Sequence, residues 1–485
     1  MHVERELKFR LAAASASRVW RLVPRPAPVR RRVLESVYYD TADRRLRAAR
    51  AALRLRRDGR RWLICLKRDA APASGLAQRS EWEVAVARRA LAVDALPLAE
   101  IRATSGIDLR SLAPRLAPAF STRFTRRSSE FVLPDGTRLE LCVDRGSIAA
   151  ARRRAPIQEL ELELVAGDLT AMLDFAKRLV EPLRLELEPL SKAERGYRLA
   201  AGERGAPVKG RWPALGHTAS AESAMLAVVQ ACLAQIEGNL DGVAQASDPE
   251  YLHQLRVGMR RLRAAWRSFE DLEPRNAFRG PAAEAKELMP VLGRARDWDV
   301  FCLGLRRNGL SRQASAARAR ASAQAQALVR SARMQSFLLG VLRWMEQAPW
   351  HTDGRAARPA QTYAARVLPR LERRLRRCGD KVDWEDASQR HRLRIRVKRL
   401  RYACEPFASL YGGRSTTRYL RDLEALQDVL GALNDIAVGR RLLGGLKLRR
   451  GEGAPVLRSY AARERHLIAR LERAWRAWRK ATSPW

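Results

Sequence analysis

The sequence predicts an α+β chain of two domains: an antiparallel β-barrel with a charged lumen, then an all-helical domain built by internal duplication. Three observations carry this. In the first 200 residues, short segments alternate apolar and charged side chains at period two, the pattern of strands packed on one face. Beyond residue 219 the pattern is helical, and His253-Gln-Leu-Arg-Val-Gly-Met-Arg-Arg-Leu-Arg263 recurs as His391-Arg-Leu-Arg-Ile-Arg-Val-Lys-Arg-Leu-Arg401. Between the two regions, Gly202, Gly205, Pro207, Gly210, Pro213 and Gly216 mark a connection. The expected division is a first domain at 1–202, a linker at 203–219 and a helical domain at 220–485, with halves near 220–350 and 360–485.

The first strand covers residues 3–11. Glu4, Glu6, Lys8 and Arg10 share one face, and Val3, Leu7, Phe9 and Leu11 the other, with Arg5 the misfit. Burying such a charged face in an apolar core costs too much, and bulk water gives like charges no reason to align. A polar channel resolves this, with metal ions answering the carboxylates and an anion answering the cations. Later segments repeat the habit. Ala52–Arg56 aligns Arg54 with Arg56, Trp62–Lys67 ends in Lys67, and Ser80–Val84 pairs Glu81 with Glu83. Asp135-Gly136 reads as a hairpin turn between Ser129–Leu133 and Thr137–Val143, the latter placing Glu140 and Asp144 on one face. Gln158–Leu164 puts Glu159, Glu161 and Glu163 on one face and three leucines on the other, the leucines packing against a helix such as Asp168–Leu179. About eight strands with charged inner faces close naturally into a barrel. Arg123 and Arg126 both look like lumen cations, yet their strand parity is opposite, so without a bulge only one faces inward.

In the helical region, His391 follows His253 by 138 residues, and the same offset maps Phe269 onto Phe407, Leu292-Gly293 onto Leu430-Gly431, and Asp297 onto Asp435. A constant offset over this length is a duplication. At the helical step, His253, Arg256, Arg260 and Arg263 fall within roughly 80° of one another, and His391, Arg394, Lys398 and Arg401 repeat the row. Leu255, Met259, Leu262, Trp266 and Phe269 form the neighbouring core stripe. Asp248-Pro249 is a good start for the first copy, with Asp as N-cap and Pro at N1. A rail of cations one turn apart suits a linear polyanion, each Arg gripping two phosphate oxygens and Lys acting as a point charge. Neither His has another His, Cys or carboxylate at i+3 or i+4, which argues against a metal site. Arg312–Ala332 is Ala/Arg/Gln-rich and reads as a long exposed or partly mobile helix; Ala348–Pro359 reads as the separator of the halves.

The chain has 93 Lys+Arg against 53 Asp+Glu, a formal net charge of +40 over 485 residues. Both halves are basic, which implies an anionic partner. A hydrophobic fraction of 46% supports real cores. The six cysteines are scattered without a CxxC pair, as expected of buried thiols in a reducing compartment. With no apolar segment of membrane-spanning length and no signal pattern at the start, the expectation is a cytoplasmic protein with no membrane partner.

Two sets of motifs carry family resemblances. His-x-Leu-Arg-[Val/Ile]-x-x-[Arg/Lys]-Arg-Leu-Arg in two copies, with Leu292–Val300, Leu430–Val438 and Lys398–Tyr402, resembles the conserved-histidine α-helical (CHAD) domain. That resemblance implies a two-fold pseudo-symmetric helical fold that binds inorganic polyphosphate, and it suggests polyphosphate granules as a location. Glu4-Arg-Glu-Leu-Lys8 resembles the ExExK signature of the CYTH superfamily, the triphosphate tunnel metalloenzymes. Tyr38–Thr41, Leu53–Arg56, Glu159–Glu163 and Ser191–Gly196 extend it in order. It implies an eight-stranded antiparallel tunnel with metal-dependent activity on triphosphate-bearing substrates.

Hydrolysis of a phosphoanhydride needs charge neutralisation, an in-line water and a stabilised leaving group. Lys8, Arg54, Arg56, Lys67, Arg123, Arg126 and Lys192 are the expected substrate cations. Glu4, Glu6, Glu161 and Glu163, with Glu159, are the expected ligands for Mg²⁺ or Mn²⁺, both hard ions that take oxygen donors. Glu81, Glu83, Glu140 and Asp144 are candidates for a second metal, water activation or support; Glu4, Glu6, Lys8, Lys67, Glu81, Glu83 and Asp144 form the expected catalytic set. The tandem resembles bacterial CYTH–CHAD inorganic triphosphatases. Thiamine triphosphatase, nucleoside triphosphatase, adenylate cyclase and a non-enzymatic polyphosphate-binding protein are the alternatives. Specific nucleic-acid binding is not expected: the cations are not interleaved with stacking aromatics, and no helix-turn-helix, RRM or zinc pattern is present.

Overall fold

The computed structural model describes residues 2–485 apart from 25, 70–75, 88, 273–278, 306–310, 349–353, 447, 449 and 450. They fall into two compact units, Met1–Ala206 with Arg330–Gln347, and Pro207–Val329 with Ala348–Trp485.

The first unit contains β1 (His2–Arg10), β2 (Arg30–Asp40), β3 (Ala51–Asp58), β4 (Arg61–Asp69), β5 (Leu76–Val86), β6 (Ala117–Val132), β7 (Arg138–Ala150), β8 (Arg153–Ala166) and the short β9 (Glu186–Leu187). Between them lie α1 (Arg45–Ala48), α2 (Leu98–Ser105), α3 (Leu109–Leu112), α4 (Leu169–Leu183) and α5 (Lys192–Ala201). The sheet order β5-β4-β3-β2-β6-β7-β8-β1 closes through a β1–β5 pairing, all antiparallel, into an eight-stranded barrel with β9 appended to β1. Each predicted strand lies in one of these. β2 alternates in burial only from Leu34 to Asp40, its first residues Arg30, Arg31 and Arg32 all being exposed. β6 runs far upstream of Ser129 because ladders to β2 and β7 hold a polar stretch extended.

Register explains the lumen. Glu6 faces Glu163 and Lys8 faces Glu161 across β1–β8; Lys67 faces Glu81 across β4–β5; Arg126 faces Asp144 across β6–β7. The opposite faces are apolar: Leu7, Phe9, Leu160 and Leu162 have no exposed surface. Asp168 caps α4, accepting from Thr170 N at 3.0 Å and Ala171 N at 3.3 Å. α4 packs against a helix from much later in the chain, α10 (Ala332–Gln347). Arg343 pairs with Asp174 at 2.7 Å, and Leu187 N donates to Gln335 Oε1 at 2.9 Å. α10 therefore belongs to the barrel unit, not to the first helical half near 220–350. The reason is the apolar face of α4, which needs Phe337, Leu338, Val341 and Trp344 from outside the local sequence. α5 packs against β6, β7 and β8, where Tyr197 joins Leu34, Tyr38, Phe120, Phe124 and Ile148 in an apolar cluster. Gly196 is required there, since any Cβ would run into the Phe120 ring.

The second unit holds α6 (Ala221–Ala244), α7 (Pro249–Ser268), α8 (Arg279–Leu305), α9 (Ser311–Arg330, its last residue counted with the barrel unit), α11 (Ala360–Gly379), α12 (Ala387–Cys404), α13 (Ala408–Tyr411), α14 (Gly413–Gly444) and α15 (Ala454–Arg479). Asp248 caps α7 with Pro249 at N1. α7 and α12 are the duplicated helices. Phe269 and Phe407 meet at 5.5 Å between ring centroids, so the repeat lies about a shared aromatic centre. α9 is not a bare exposed helix: Ala314, Ala321 and Ala325 form a buried stripe, and small side chains allow that close approach. The predicted linker is docked from Pro207 onward, with Leu215 N donating to Ser409 Oγ at 2.9 Å and Trp212 Nε1 to Glu405 at 2.9 Å. Much of the predicted separator, residues 349–353, lies outside the described residues.

Candidate functional site

The barrel encloses a cavity of about 420 Å³. Lys8, Arg54, Arg56, Lys67, Arg126 and Lys192 line it, together with Glu4, Glu6, Glu81, Glu83, Glu161 and Glu163. Strand alternation positions all but one of these; Lys192 enters from α5, whose start is fixed by Ser191 accepting from Glu194 N at 3.1 Å.

The charges are interleaved. Lys67 bonds Glu4 at 2.6 Å and pairs with Glu81 at 3.2 Å. Lys8 pairs with Glu6 at 2.6 Å and Glu161 at 3.8 Å. Lys192 sits among Asp144, Glu159 and Glu161 at 2.8, 2.7 and 2.7 Å. Arg126 bonds both oxygens of Asp144, at 2.8 and 2.7 Å, and also Glu161. Burial alone would raise the Glu81 carboxyl, but Lys67 and Arg54 outweigh it and hold it at about 2.

Two places are left unbalanced. Arg54 Nε and Nη2 and Arg56 Nε are buried without a hydrogen-bond partner among the described residues; their nearest carboxylates, Glu81 and Glu83, stand 3.6–4.0 Å away. Buried charge-bearing donors without acceptors are costly, and an anion would satisfy them. Conversely, Glu163 has neither ion pair nor hydrogen bond among the described residues. Burial first, then Glu4 and Glu6, push its carboxyl up to about 8. A cation beside Glu4, Glu6 and Glu163 would relieve that crowding, but among the described residues the sets whose ligand atoms already lie within 4.8 Å of one another are Cys65, Glu81 and Glu83, and Asp144, Glu159 and Glu161.

Three sequence expectations are corrected here. Arg123 points out of the barrel, with a side chain 76% exposed and paired with Glu35 at 3.0 Å; Arg126 is the lumen cation. Asp144 and Glu159 are almost fully buried and do not line the cavity. Lys192, Arg126 and Arg195 occupy their oxygens, so they support those cations from behind, where the sequence reading had placed a catalytic carboxylate and a metal ligand. Asp144, Glu159 and Glu161 do bring ligand atoms within 4.8 Å of one another, but the Lys192 ammonium already fills that position. The sequence reading missed Arg79, buried and bonded to Glu6 and, at 2.5 Å, to Asp69. It shares the parity of Glu81 and Glu83; starting that strand one residue earlier would have found it.

In the helical unit, the cations of α7 and α12 converge. Arg256 Nη1, Arg260 Nε and Arg394 Nε are buried without hydrogen-bond partners among the described residues. Burial, then Arg260 and Arg394, lower the Lys398 ammonium to about 6. Burial and Arg260 lower Arg256 to about 10, and burial and Arg296 lower His253 to about 4. Asp297 on α8 and Asp435 on α14 face this group from the two halves and are raised, by burial first. Gly293 lets α8 approach, since a Cβ there would lie 2.8 Å from Arg256 Nη1. The rails are shorter than predicted. Arg401 is tied to Glu405 and Glu424, each at 2.7 Å, and Arg263 has Arg267 as its charged neighbour. His391 is exposed and lies by Arg394.

Residues 2–197 match the CYTH domain family and residues 227–444 match the CHAD domain family. The protein is a CYTH domain followed by a CHAD domain. Within 175 residues it is 31% identical to an inorganic triphosphatase of Haemophilus influenzae, covering 35% of this chain and 46% of that protein, so the match spans under half the relative's length. The crystal structure of the CHAD domain from the plant Ricinus communis is 30% identical, covering 58% of this chain and 99% of that one with a TM-score of 0.50. The CYTH domain thus supplies the barrel cavity and the CHAD domain the converging rails. Among the described residues, no helix is long and apolar enough to cross a membrane.

Proposed function

We propose that the CYTH domain hydrolyses inorganic triphosphate with Mg²⁺ or Mn²⁺, and that the CHAD domain binds inorganic polyphosphate through the rails. The observation that carries the first part is the pairing, in one cavity, of anion-seeking Arg54 and Arg56 with a carboxylate group that lacks a cation at Glu163. The similarity to an inorganic triphosphatase supports it.

In this reading the chain lies along the cationic wall. Arg54 and Arg56 present forked donors to phosphoryl oxygens, and Lys8, Lys67 and Arg126 neutralise charge as it develops on the leaving phosphate. Lys67 is pinned by Glu4 and Glu81, so its ammonium needs no reorganisation when substrate arrives. Glu4, Glu6, Glu161 and Glu163 would hold the divalent ion, which would neutralise phosphoryl oxygens and polarise water. Glu81 stays ionised at neutral pH and accepts a hydrogen bond from the attacking water. Asp144 and Glu159 keep Lys192 and Arg126 aimed into the cavity.

In the CHAD domain, unpartnered guanidinium atoms on both copies make one site from two halves, and a linear phosphate chain is the ligand that spans them. The deciding experiment is a phosphate-release screen with each metal, comparing triphosphate, pyrophosphate, long polyphosphate, thiamine triphosphate and ATP, with cyclic AMP assayed in parallel. Preference for ATP or thiamine triphosphate would overturn the substrate assignment.

A further inference from the structure

The two CHAD halves differ in the groove between their first two helices. α12 follows α7 at an offset of 138 residues, and α11 follows α6 at 139: the buried residues Val228, Val229, Cys232 and Ile236 map onto Val367, Leu368, Leu371 and Leu375, all buried as well. The helix caps Ser220 and Pro359, also 139 apart, pair with each other.

In the first half the groove between α6 and α7 is filled. Gln235 Nε2 donates to Gln254 Oε1 at 2.9 Å. Gly258 lies so close to α6 that a Cβ would stand 2.9 Å from Ile236 Cγ1, and the Tyr251 ring occupies the space beside Gly242. An extended segment of the chain covers the rest. Val208 N donates to Asn239 Oδ1 at 3.0 Å and Asn239 Nδ2 to Val208 O at 2.9 Å. A Cβ on Gly238 would meet Val208, and Trp212 stacks on Arg261 at 3.6 Å.

In the second half the equivalent groove is a cleft of about 390 Å³, within the size range of ligand pockets. Gln235, Gly238 and Gly242 are replaced by Arg374, Arg377 and Lys381, and Gln254 and Gly258 by Arg392 and Arg396. All five cations line the cleft, no carboxylate does, and none of the five has an ion pair among the described residues. Of the acids near it in sequence, Asp380 pairs with Arg479 at 3.0 Å and Asp386 caps α12. Arg399, one turn beyond Arg396 on α12, is lowered by burial, with Arg267, Arg374 and Arg396 adding to it against Glu270. On the helical wheel, Arg392 and Arg396 lie roughly 150° from the Arg394–Lys398 rail, so α12 carries two separate cationic faces.

We propose that this α11–α12 cleft is a second anion site, distinct from the rails, that takes a linear oligophosphate. Five cations in one cleft, none ion-paired among the described residues, match a ligand with a charge on every unit, whether a free short chain or a stretch of a long one. The lining has no aromatic residue on which a nucleobase could stack.

Cys378 provides the test. It lines the cleft and is half-buried and free; Cys302 is the other half-buried thiol and serves as control. In the full-length protein, alkylation of Cys378 by iodoacetamide, read by peptide mass spectrometry, should slow about tenfold at oligophosphate concentrations near ten times its Kd. Cys302 should be unaffected. Tripolyphosphate and long-chain polyphosphate are tested separately. Protection by the short chain marks a free-ligand site; protection by the long chain alone marks a track for polymer. The same protection should persist in Arg256→Glu/Arg260→Glu, which separates this site from the rails. Arg392→Glu/Arg396→Glu, both exposed and without an ion pair among the described residues, should remove it, and Arg392→Lys/Arg396→Lys should keep it. Unchanged Cys378 labelling with either phosphate, or equal protection by duplex DNA at matched phosphate concentration, overturns the proposal.

Discussion

Replacing Lys192 by Met tests the internal wiring of the tunnel. The Lys192 side chain is 9% exposed and bridges Asp144, Glu159 and Glu161 at 2.7–2.8 Å. Removing one partner from a buried ionic group typically costs about 3–5 kcal/mol, because the remaining charges stay desolvated. Arg126 and Arg195 still neutralise part of the triad, so about 3 kcal/mol is expected at pH 7. The pH dependence follows from Glu161. Burial alone would raise its carboxyl, but Lys192 and Arg126 hold it well below its ordinary 4.5. A carboxyl depressed in the folded state stabilises above its unfolded value and loses that contribution as pH falls through the folded one. The gap between wild type and variant should therefore be widest at neutral pH and narrow below pH 4.5. With the ammonium gone, the three carboxylates can bind Mn²⁺, which should recover stability in the variant more than in wild type. Urea unfolding with hydrogen exchange of the β7–β8 amides reads all of this. A penalty below about 1 kcal/mol, or one that persists unchanged at pH 4, would refute the reasoning.

Other outcomes are equally direct. Glu4→Ala or Glu6→Ala should cut metal-dependent phosphate release by about a hundredfold or more with an unchanged circular dichroism spectrum; wild-type turnover would remove both from the metal set. Arg126→Ala should lower kcat/KM by about 10- to 150-fold, the loss of one charge-assisted contact, whereas Arg123→Ala should stay within about twofold; the reverse ranking would invert the assigned strand face. Charge reversal of Arg256 and Arg260, or of Arg394 and Lys398, should abolish polyphosphate binding by the full-length protein, and retention in either case counts against a shared site. Because Lys398 is lowered to about 6, it gains its charge as pH falls toward that value, so polyphosphate affinity should rise between pH 8 and 6. Lys398→Arg should flatten this slope in a titration series, and an identical slope would assign the proton elsewhere.

Period along a single element was legible in the sequence. Alternation placed Glu4, Glu6 and Lys8 together, as it did Arg54 with Arg56 and Glu161 with Glu163, because a strand turns each side chain over with every residue. The fixed offset between His253 and His391 revealed the duplication, since a copied helix keeps its core stripe. What lies between elements was not legible. The parity conflict of Arg123 and Arg126 was settled by the β6–β7 register, which sets Arg126 against Asp144. Glu159 shares the face of Glu161 and Glu163, but Arg195 and Lys192, from a helix outside the strand pattern, hold it. α10 joined the barrel because α4 lacked a local partner for its apolar face, and the rails ended early because Glu405 and Glu424 reach Arg401. The cleft behind α12 depends on the spacing of two helices, which differs between copies of one motif. A local pattern fixes which face a side chain takes, because backbone geometry is local; which charge meets it is decided by chain segments up to hundreds of residues away, through desolvation and Coulomb energies that exist only once the barrel and the helices have closed.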